Sequence, residues 1–332
     1  MTVVVNGRFL PQRPGGLQRT ARSLLEALQP LLPLEVVAPV SDPLADVVLR
    51  APHGRAGGQV WEQVLLPRHA AGRPLLSLAN TAPLVARRST VLVHDLAPLV
   101  GPQWFRPSMR VYGRLVLTAA QRASLTLTVS EAVRAELLAR GVRRVEVVRP
   151  AVDRLFFPAP PEDVARVQAE HGRYAVLVGW ADPRKDLATA LAAHGAVARE
   201  IPHRLLLVGG SRGVFAAVRT PMGSTISVLE HVWDAELRAL LTGADVLLYP
   251  SLYEGFGLPP LEAAACGTPS LVSDLPVLRE STAGEATFVP PGDVPAWTAA
   301  LRRALREPSR VPLVAGRRTW ADAASELATL LG

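Results

Sequence analysis

Cysteine and lysine are each reduced to a single copy in these 332 residues, Cys266 and Lys185. One cysteine excludes a disulfide within the chain and any multi-cysteine metal site, and its place among small residues suits a buried apolar role. No run of eighteen apolar residues occurs, so no segment reads as a membrane-spanning helix. MTVVVNGRFL also lacks the charged start and longer apolar stretch of a secretory leader, and the expectation is a cytoplasmic protein. Aromatic residues are 5% of the chain and do not interleave with the basic ones, which argues against a nucleic-acid partner despite the net charge of +7. No Asp-x-Asp pair is present to suggest a metal.

What is present is a chain with 49% hydrophobic residues, long enough for two domains with separate cores. Short apolar runs alternate with helical patterns. Strands are expected near Val3 to Val5, Glu35 to Ala38, Leu75 to Leu78, Val91 to Val93, Leu125 to Val129 and Val145 to Val148. The rhythm repeats near Ala175 to Val178, Leu205 to Val208, Ile226 to Leu229, Val246 to Leu248 and Ser270 to Val272. Such alternation predicts parallel sheets in two Rossmann-like halves, with the proline-rich RPAVDRLFFPAPPED as the linker. RRTWADAASELATLL reads as a final helix.

Two carboxylates, Glu254 and Glu262, stand in SLYEGFGLPPLEAAACGTP after the strand-like ADVLLYPS. Glu254 falls in a strand-to-helix loop and Glu262 in the first turns of the helix. Ligands of open α/β sheets collect outside the carboxyl ends of the strands, so both carboxylates are expected at one crevice, where they suit a polyhydroxylated ligand. Gly255, Gly257 and Pro259 form a loop that lets backbone approach a ligand closely. Lys185 follows the strand YAVLVG, beside Arg184, in a chain whose other basic side chains are arginine or histidine. A point charge and a planar fork at a strand-to-helix turn suit phosphate, although ordinary surface charges at a helix start read the same way. His94 and Asp95 close another strand, where an imidazole can donate to a sugar hydroxyl or stabilise developing charge, and Asp95 reads as a positioning residue. The paired Gly15 and Gly16 before a helix are by themselves a weak phosphate-loop signal.

Pro250 to Pro269 matches the pattern PSxxEGFGLPxLEAxAxGxP almost completely. The segment resembles the nucleotide-sugar site of the retaining glycosyltransferases of family 4, and SLANTAPL and WEQVLLP are similar to its bacterial mannosyl- and rhamnosyltransferase branch. The resemblance implies an α/β fold of GT-B type, with two Rossmann-like domains facing across a cleft and a C-terminal helix crossing back to the first. Its boundaries would be 1–155 for the acceptor-side domain, 156–312 for the donor domain and 313–332 for the returning helix. It implies transfer of a hexose, with mannose from GDP-mannose favoured and UDP- or dTDP-sugars open, to a hydroxyl of a glycan or lipid-linked acceptor. No cofactor and no metal are expected beyond the nucleotide diphosphate sugar.

Residue by residue, the resemblance makes Glu254, His94, Lys185 and Arg184 the catalytic set. Arg184 and Lys185 would hold the diphosphate, Glu254 the donated sugar and Glu262 the ribose. Gly15 and Gly16 would face the donor phosphates, with Arg19 and Asp95 on the acceptor or sugar side. Gly179, Gly210, Ser211, Val232, Gly255, Phe256, Gly257 and Leu258 complete the donor contacts. Asp186 departs from the asparagine the family commonly has after the Arg-Lys pair. A non-catalytic nucleotide-sugar-binding or scaffold protein on the same fold is the alternative of a different class.

Charge is uneven. Residues 1–150 carry 19 arginines against 9 carboxylates, a net +10, and the remainder carries −3. Arg106, Arg110 and Arg114, spaced four apart beside Trp104, Phe105 and Tyr112, read as a basic amphipathic helix able to meet an anionic membrane surface, with a merely solvated arginine face as the other explanation.

Overall fold

The computed structural model describes residues 2–12, 15–54, 57–86, 88–210, 213–219, 223–312 and 317–332. They form two α/β units. Met1–Val100, Arg110–Ala151 and Arg318–Gly332 make the first, and Gly101–Met109 with Val152–Arg317 the second. The chain therefore passes between units inside the proline-rich segment. The short piece Gly101–Met109 belongs with the second unit although it is embedded in the sequence of the first.

Strands of the first unit are β1 (Val3–Asn6), β2 (Leu34–Ala38), β3 (Val47–Val48), β4 (Leu75–Ser77), β5 (Ser89–Val93), β6 (Leu125–Thr128) and β7 (Val145–Val147). They lie in the order β3-β2-β1-β4-β5-β6-β7, every pair parallel. The second unit has β8 (Tyr174–Val178), β9 (Arg204–Val208), β10 (Ile226–Leu229), β11 (Val246–Tyr249), β12 (Ser270–Ser273) and β13 (Thr287–Val289) in the parallel order β10-β9-β8-β11-β12-β13. Each sheet reverses its winding once, between β1 and β4 and between β8 and β11. Such a reversal opens a crevice at the carboxyl ends of the two diverging strands.

Sheets covered on both faces are written as near-continuous apolar runs. YAVLV of β8 and VLLY of β11 fit this, with the first four residues of β8 and all four of β11 buried. Ala175, Leu177, Leu205, Leu207, Val246 and Leu248, alternate residues of neighbouring strands, form one face of the second core. Trp297 from the helix Val294–Arg306 and Ala190 and Ala193 from the helix Leu187–Val197 pack on that face. The two strands absent from the sequence reading, β3 and β13, are edge strands of two and three residues, too short to leave an apolar run.

The last helix, Trp320–Leu331, starts at a capping box of Thr319 and Asp322 and buries Ala323, Ala324 and Leu327 in the first unit, against the helix Gly16–Leu28. Arg318 fixes its approach by donating from Nε to the Arg149 carbonyl at 2.9 Å. The expected basic helix is shorter than its arginine spacing suggests. It spans Ser108–Arg122, because Pro107 keeps the preceding Arg106 out of helical geometry; Trp104 and Phe105 lie in a separate turn of the second unit. Among the described residues no helix is long and apolar enough to cross a membrane.

At the amino ends of β8, β9 and β11 sits a polar cluster built on the buried His194 and His203. His203 Nε2 meets Asp245 at 2.9 Å, Asp245 accepts from Arg173 at 3.1 Å, and His194 Nε2 donates to the His203 carbonyl at 2.9 Å. Burial pushes both imidazoles below their ordinary pKa of 6.5, outweighing Asp245 beside His203. The unfolded chain therefore binds these protons first as acid is added, so stability is intact above about pH 6.5 and declines below it. Melting temperature should fall between pH 7 and 5, and His194→Gln, which keeps an N–H donor, should flatten that fall.

Candidate active site

Backbone is bare at the crest of the second sheet. Gly179 after β8 and Gly209 after β9 have φ of +79° and +97°, values that side chains resist, and a Cβ on Gly209 would stand 3.6 Å from the Gly179 nitrogen. From Gly179 the chain turns through Asp182 into Pro183–Lys185, a single 3₁₀ turn that Asp182 caps by accepting from the Arg184 N–H at 3.0 Å. Asp182 also takes the Arg184 side chain, at 3.0 Å from Nε and 2.6 Å from Nη2. Phe105 and Phe215 stand beside the guanidinium, 5.7 and 5.8 Å from ring centre to carbon. Asp186 follows at φ +44°, a left-handed conformation that Asp and Asn tolerate best, and caps the next helix through the Thr189 N–H and hydroxyl. Asp186 thus keeps a side-chain cap where the family that the segment resembles commonly has asparagine.

Lys185 points along the crest toward β11. Its Nζ donates to Glu254 Oε1 at 2.5 Å and to the Tyr249 hydroxyl at 2.6 Å, and lies 4.1 Å from the centre of the Tyr249 ring. All three groups are nearly buried. Glu254 reaches this point from the loop after β11, and the Leu252 N–H ties that loop to the Arg184 carbonyl at 2.7 Å. Tyr253 packs its ring 6.3 Å from that of Trp104. The loop closes at Gly257, which has φ +92° and where a Cβ would come within 2.5 Å of Leu278 Cδ2. The helix Leu258–Ala265 follows. Pro259 and Pro260 remove two N–H groups from its first turn. Glu262 is buried one turn in, and Cys266, whose thiol burial pushes up to about 11, closes the helix as a packing residue.

Thus the second unit brings Lys185, Arg184, Gly179, Glu254, Gly255, Phe256, Gly257, Leu258 and Glu262 to the carboxyl ends of β8 and β11. Gly210 follows β9, where a Cβ would meet the Glu230 carbonyl at 3.5 Å, and Val232 lies between β10 and the helix Asp234–Gly243, next to Trp233, which is 84% exposed. Ser211 lies outside the described residues. Two participants escaped the sequence reading. Tyr249 is visible only as the last residue of an apolar strand, although a phenol one residue before a Pro-Ser turn is a signal; Asp182, two residues before Arg184, is the spacing of a side-chain-capped turn.

The first unit carries the rest. His94 follows β5, its N–H bonded to Asn80 Oδ1 at 2.7 Å and its Nε2 2.9 Å from the Leu78 carbonyl. A carbonyl can only accept, so Nε2 carries the proton. Desolvation holds the pKa below 6.5 against Leu78 and Asp95, which leaves a neutral ring whose Nδ1 is an acceptor. The expectation of a donating imidazole is corrected: the ring's one N–H is spent on Leu78. Asp95 caps the next turn through the Ala97 N–H at 3.0 Å. Gly15 precedes the helix Gly16–Leu28, which carries Arg19, and a Cβ on Gly16 would meet nothing within 4 Å. Where β1 and β4 diverge, the buried Glu62 accepts from Asn6 and Thr81, each at 2.8 Å, and from Arg8 at 2.5 Å.

Fold and sites together define a GT-B protein. Residues 172–307 match the family model of Glycosyl transferases group 1. O-antigen chain mannosyltransferase RfbU of Salmonella typhimurium is 28% identical over 241 residues, 70% of this chain and 65% of that protein. The MMP alpha-(1->4)-mannosyltransferase of Mycolicibacterium hassiacum is 32% identical over 278 residues, 78% of this chain and 66% of its own length. The chain spans a little under two thirds of the length of these curated relatives. Among solved structures, Anabaena HepE in complex with UDP-glucose superposes with a TM-score of 0.69 at 18% identity, over 99% of this chain and 95% of that one. Over residues 172–307 the chain is thus similar to the group 1 glycosyl transferases, and its two parallel-sheet units share the GT-B fold of the solved neighbour HepE.

Gly257→Ala should destabilise the fold by about 2 kcal/mol or more, since left-handed backbone costs an alanine about 1–2 kcal/mol and overpacking against Leu278 adds to that. Denaturant titration reads it directly.

Proposed function

We propose that this chain is a retaining hexosyltransferase that takes mannose from GDP-mannose and delivers it to a hydroxyl of a glycan or lipid-linked acceptor. The observation that carries the reading is the contact of Lys185 with Glu254 at the switch point of the second sheet, a cation and a carboxylate side by side where an anionic, hydroxylated ligand would lie. Relatives named mannosyltransferases favour mannose, and a structural neighbour in complex with UDP-glucose keeps uridine donors as the second choice.

In the reaction the bond from the anomeric carbon to the diphosphate oxygen breaks as the acceptor oxygen bonds to that carbon on the same face. The acceptor's proton passes to the departing phosphate oxygen. Charge on the diphosphate is met by Lys185, Arg184 and the N–H groups from Gly255 to Leu258, which serve without a metal or cofactor. Gly15 and Gly16 offer further amides. Glu254 orients the sugar through its hydroxyls, Glu262 takes the ribose and Gly210 and Val232 border the base, while Arg19, Asp95 and the accepting Nδ1 of His94 serve the acceptor or the sugar's other side.

A basic first half suits an anionic acceptor or membrane surface. Arg110, Val111 and Arg114 are exposed on the helix Ser108–Arg122, which has no acidic residue, and they would carry peripheral contact from the cytoplasmic side. Arg110→Glu with Arg114→Glu should abolish binding to vesicles containing anionic lipid; undiminished binding would refute this role for the helix.

A panel of GDP-mannose, UDP-glucose and a dTDP-sugar tests the donor. GDP-mannose should raise the melting temperature most and be turned over with the anomeric configuration kept and without sensitivity to EDTA. Glu254→Gln should lower turnover by about 10²-fold or more, the scale of lost transition-state electrostatics, with nucleotide affinity changed less than about threefold. A chain that binds the sugar nucleotide yet never consumes it would be the scaffold alternative.

A further inference from the structure

Tyr249 has no role in the reading above, yet its hydroxyl touches the centre of the site. The residue ends β11, the strand that pairs with β8 at the switch point, and is only 1% exposed. Its oxygen accepts from Lys185 Nζ at 2.6 Å, on the same ammonium that donates to Glu254. The phenol and the carboxylate are thus two acceptors on one ammonium. Burial and the neighbouring Glu254 charge hold the phenol's pKa well above its ordinary value, so the hydroxyl stays protonated and keeps its donor.

The consequence falls on Lys185. An ammonium has three N–H donors in tetrahedral array. Two are committed, one to Glu254 and one to Tyr249, and these are its only hydrogen-bond acceptors among the described residues. With two directions fixed, the third is fixed as well. A lysine held by Glu254 alone could rotate about that one contact on its flexible stem and settle its charge wholly against the carboxylate.

We propose that Tyr249 is a positioning residue for the nucleotide diphosphate: its hydroxyl fixes the Lys185 ammonium so that the third N–H is held ready for a phosphate oxygen. This rests on the donor reading of the same site. Tyrosine is not there simply to fill space, because phenylalanine would fill the same volume and supply the same ring face to the ammonium. Tyr249→Phe therefore removes the bond and little else.

The test is calorimetric binding of GDP and UDP to the full chain, using whichever binds wild type more tightly, in a cycle of Tyr249→Phe and Lys185→Ala. Tyr249→Phe should weaken the nucleotide about tenfold with an unchanged melting temperature, and Lys185→Ala should weaken it further. Adding Tyr249→Phe to Lys185→Ala should then cost nothing more, since the hydroxyl acts through the ammonium. Wild-type-like affinity in Tyr249→Phe would overturn the inference, as would the same tenfold loss in the Lys185→Ala background, which would mark a merely structural effect. A wild-type chain that binds neither nucleotide would instead defeat the donor reading, and this role with it.

Discussion

The contact of Lys185 with Glu254 is possible only because the second sheet reverses its winding between β8 and β11. Two adjacent parallel strands send their following segments to opposite sides, so the loops after them part and leave their first residues facing open space. Lys185 comes from one loop and Glu254 from the other. Neither would be placed by its own loop alone. The Leu252 to Arg184 backbone bond, the Asp182 cap and the left-handed Gly179 and Gly257 each fix one end of the pair. An ion pair so nearly buried contributes little net stability, since desolvation offsets most of its attraction. Its cost is tolerable because Tyr249 supplies a further hydrogen bond, and its use lies in what it can offer a ligand.

The first sheet solves the same topological problem with different residues. It too reverses between its first and fourth strands, and there Asn6 of β1 and Ser77 of β4 are hydrogen bonded to each other. Glu62, fully buried, arrives from a helical segment and accepts from Asn6, Thr81 and Arg8. Here the carboxylate is satisfied from inside the unit on both oxygens, whereas Glu254 has one oxygen on Lys185. A saturated carboxylate is a structural part, and its removal would leave Arg8, Asn6 and Thr81 without their acceptor. The comparison separates two acidic residues of similar burial into scaffold and site by counting their partners.

Much of this was legible in the chain. Apolar runs marked eleven of the strands because buried parallel strands must be apolar on both faces, and the glycine-proline pattern around Glu254 marked the loop because only glycine accepts φ of +92° beside Leu278. The long-range pairings were not legible. Trp104 and Phe105 sit in the first half of the sequence and pack on Tyr253 and Phe215, yet nothing local to them says so. Reading them with Arg106 as part of a helix treated spacing as structure where Pro107 forbade it. His94 shows the same limit at atomic scale, since its position was readable but the carbonyl that takes its proton comes from Leu78, after another strand.

The solitary lysine follows from this geometry. In a chain where arginine supplies every other cation apart from histidine, arginine at position 185 would have to place a planar fork where an ammonium now meets two acceptors 2.5 and 2.6 Å away. The tyrosine ring lies 4.1 Å from the nitrogen on one side, and the side-chain stem passes 3.6 Å from where a Cβ of Gly179 would stand. A guanidinium is longer and flat, and its N–H groups diverge in one plane, so it could satisfy the carboxylate or the phenol but would leave no donor out of that plane. Arg184, next in the chain, illustrates the contrast: its fork lies against the carboxylate of Asp182, a planar partner. Lysine is retained where the contacts demanded are three-dimensional, and arginine fills the place beside it where they are flat.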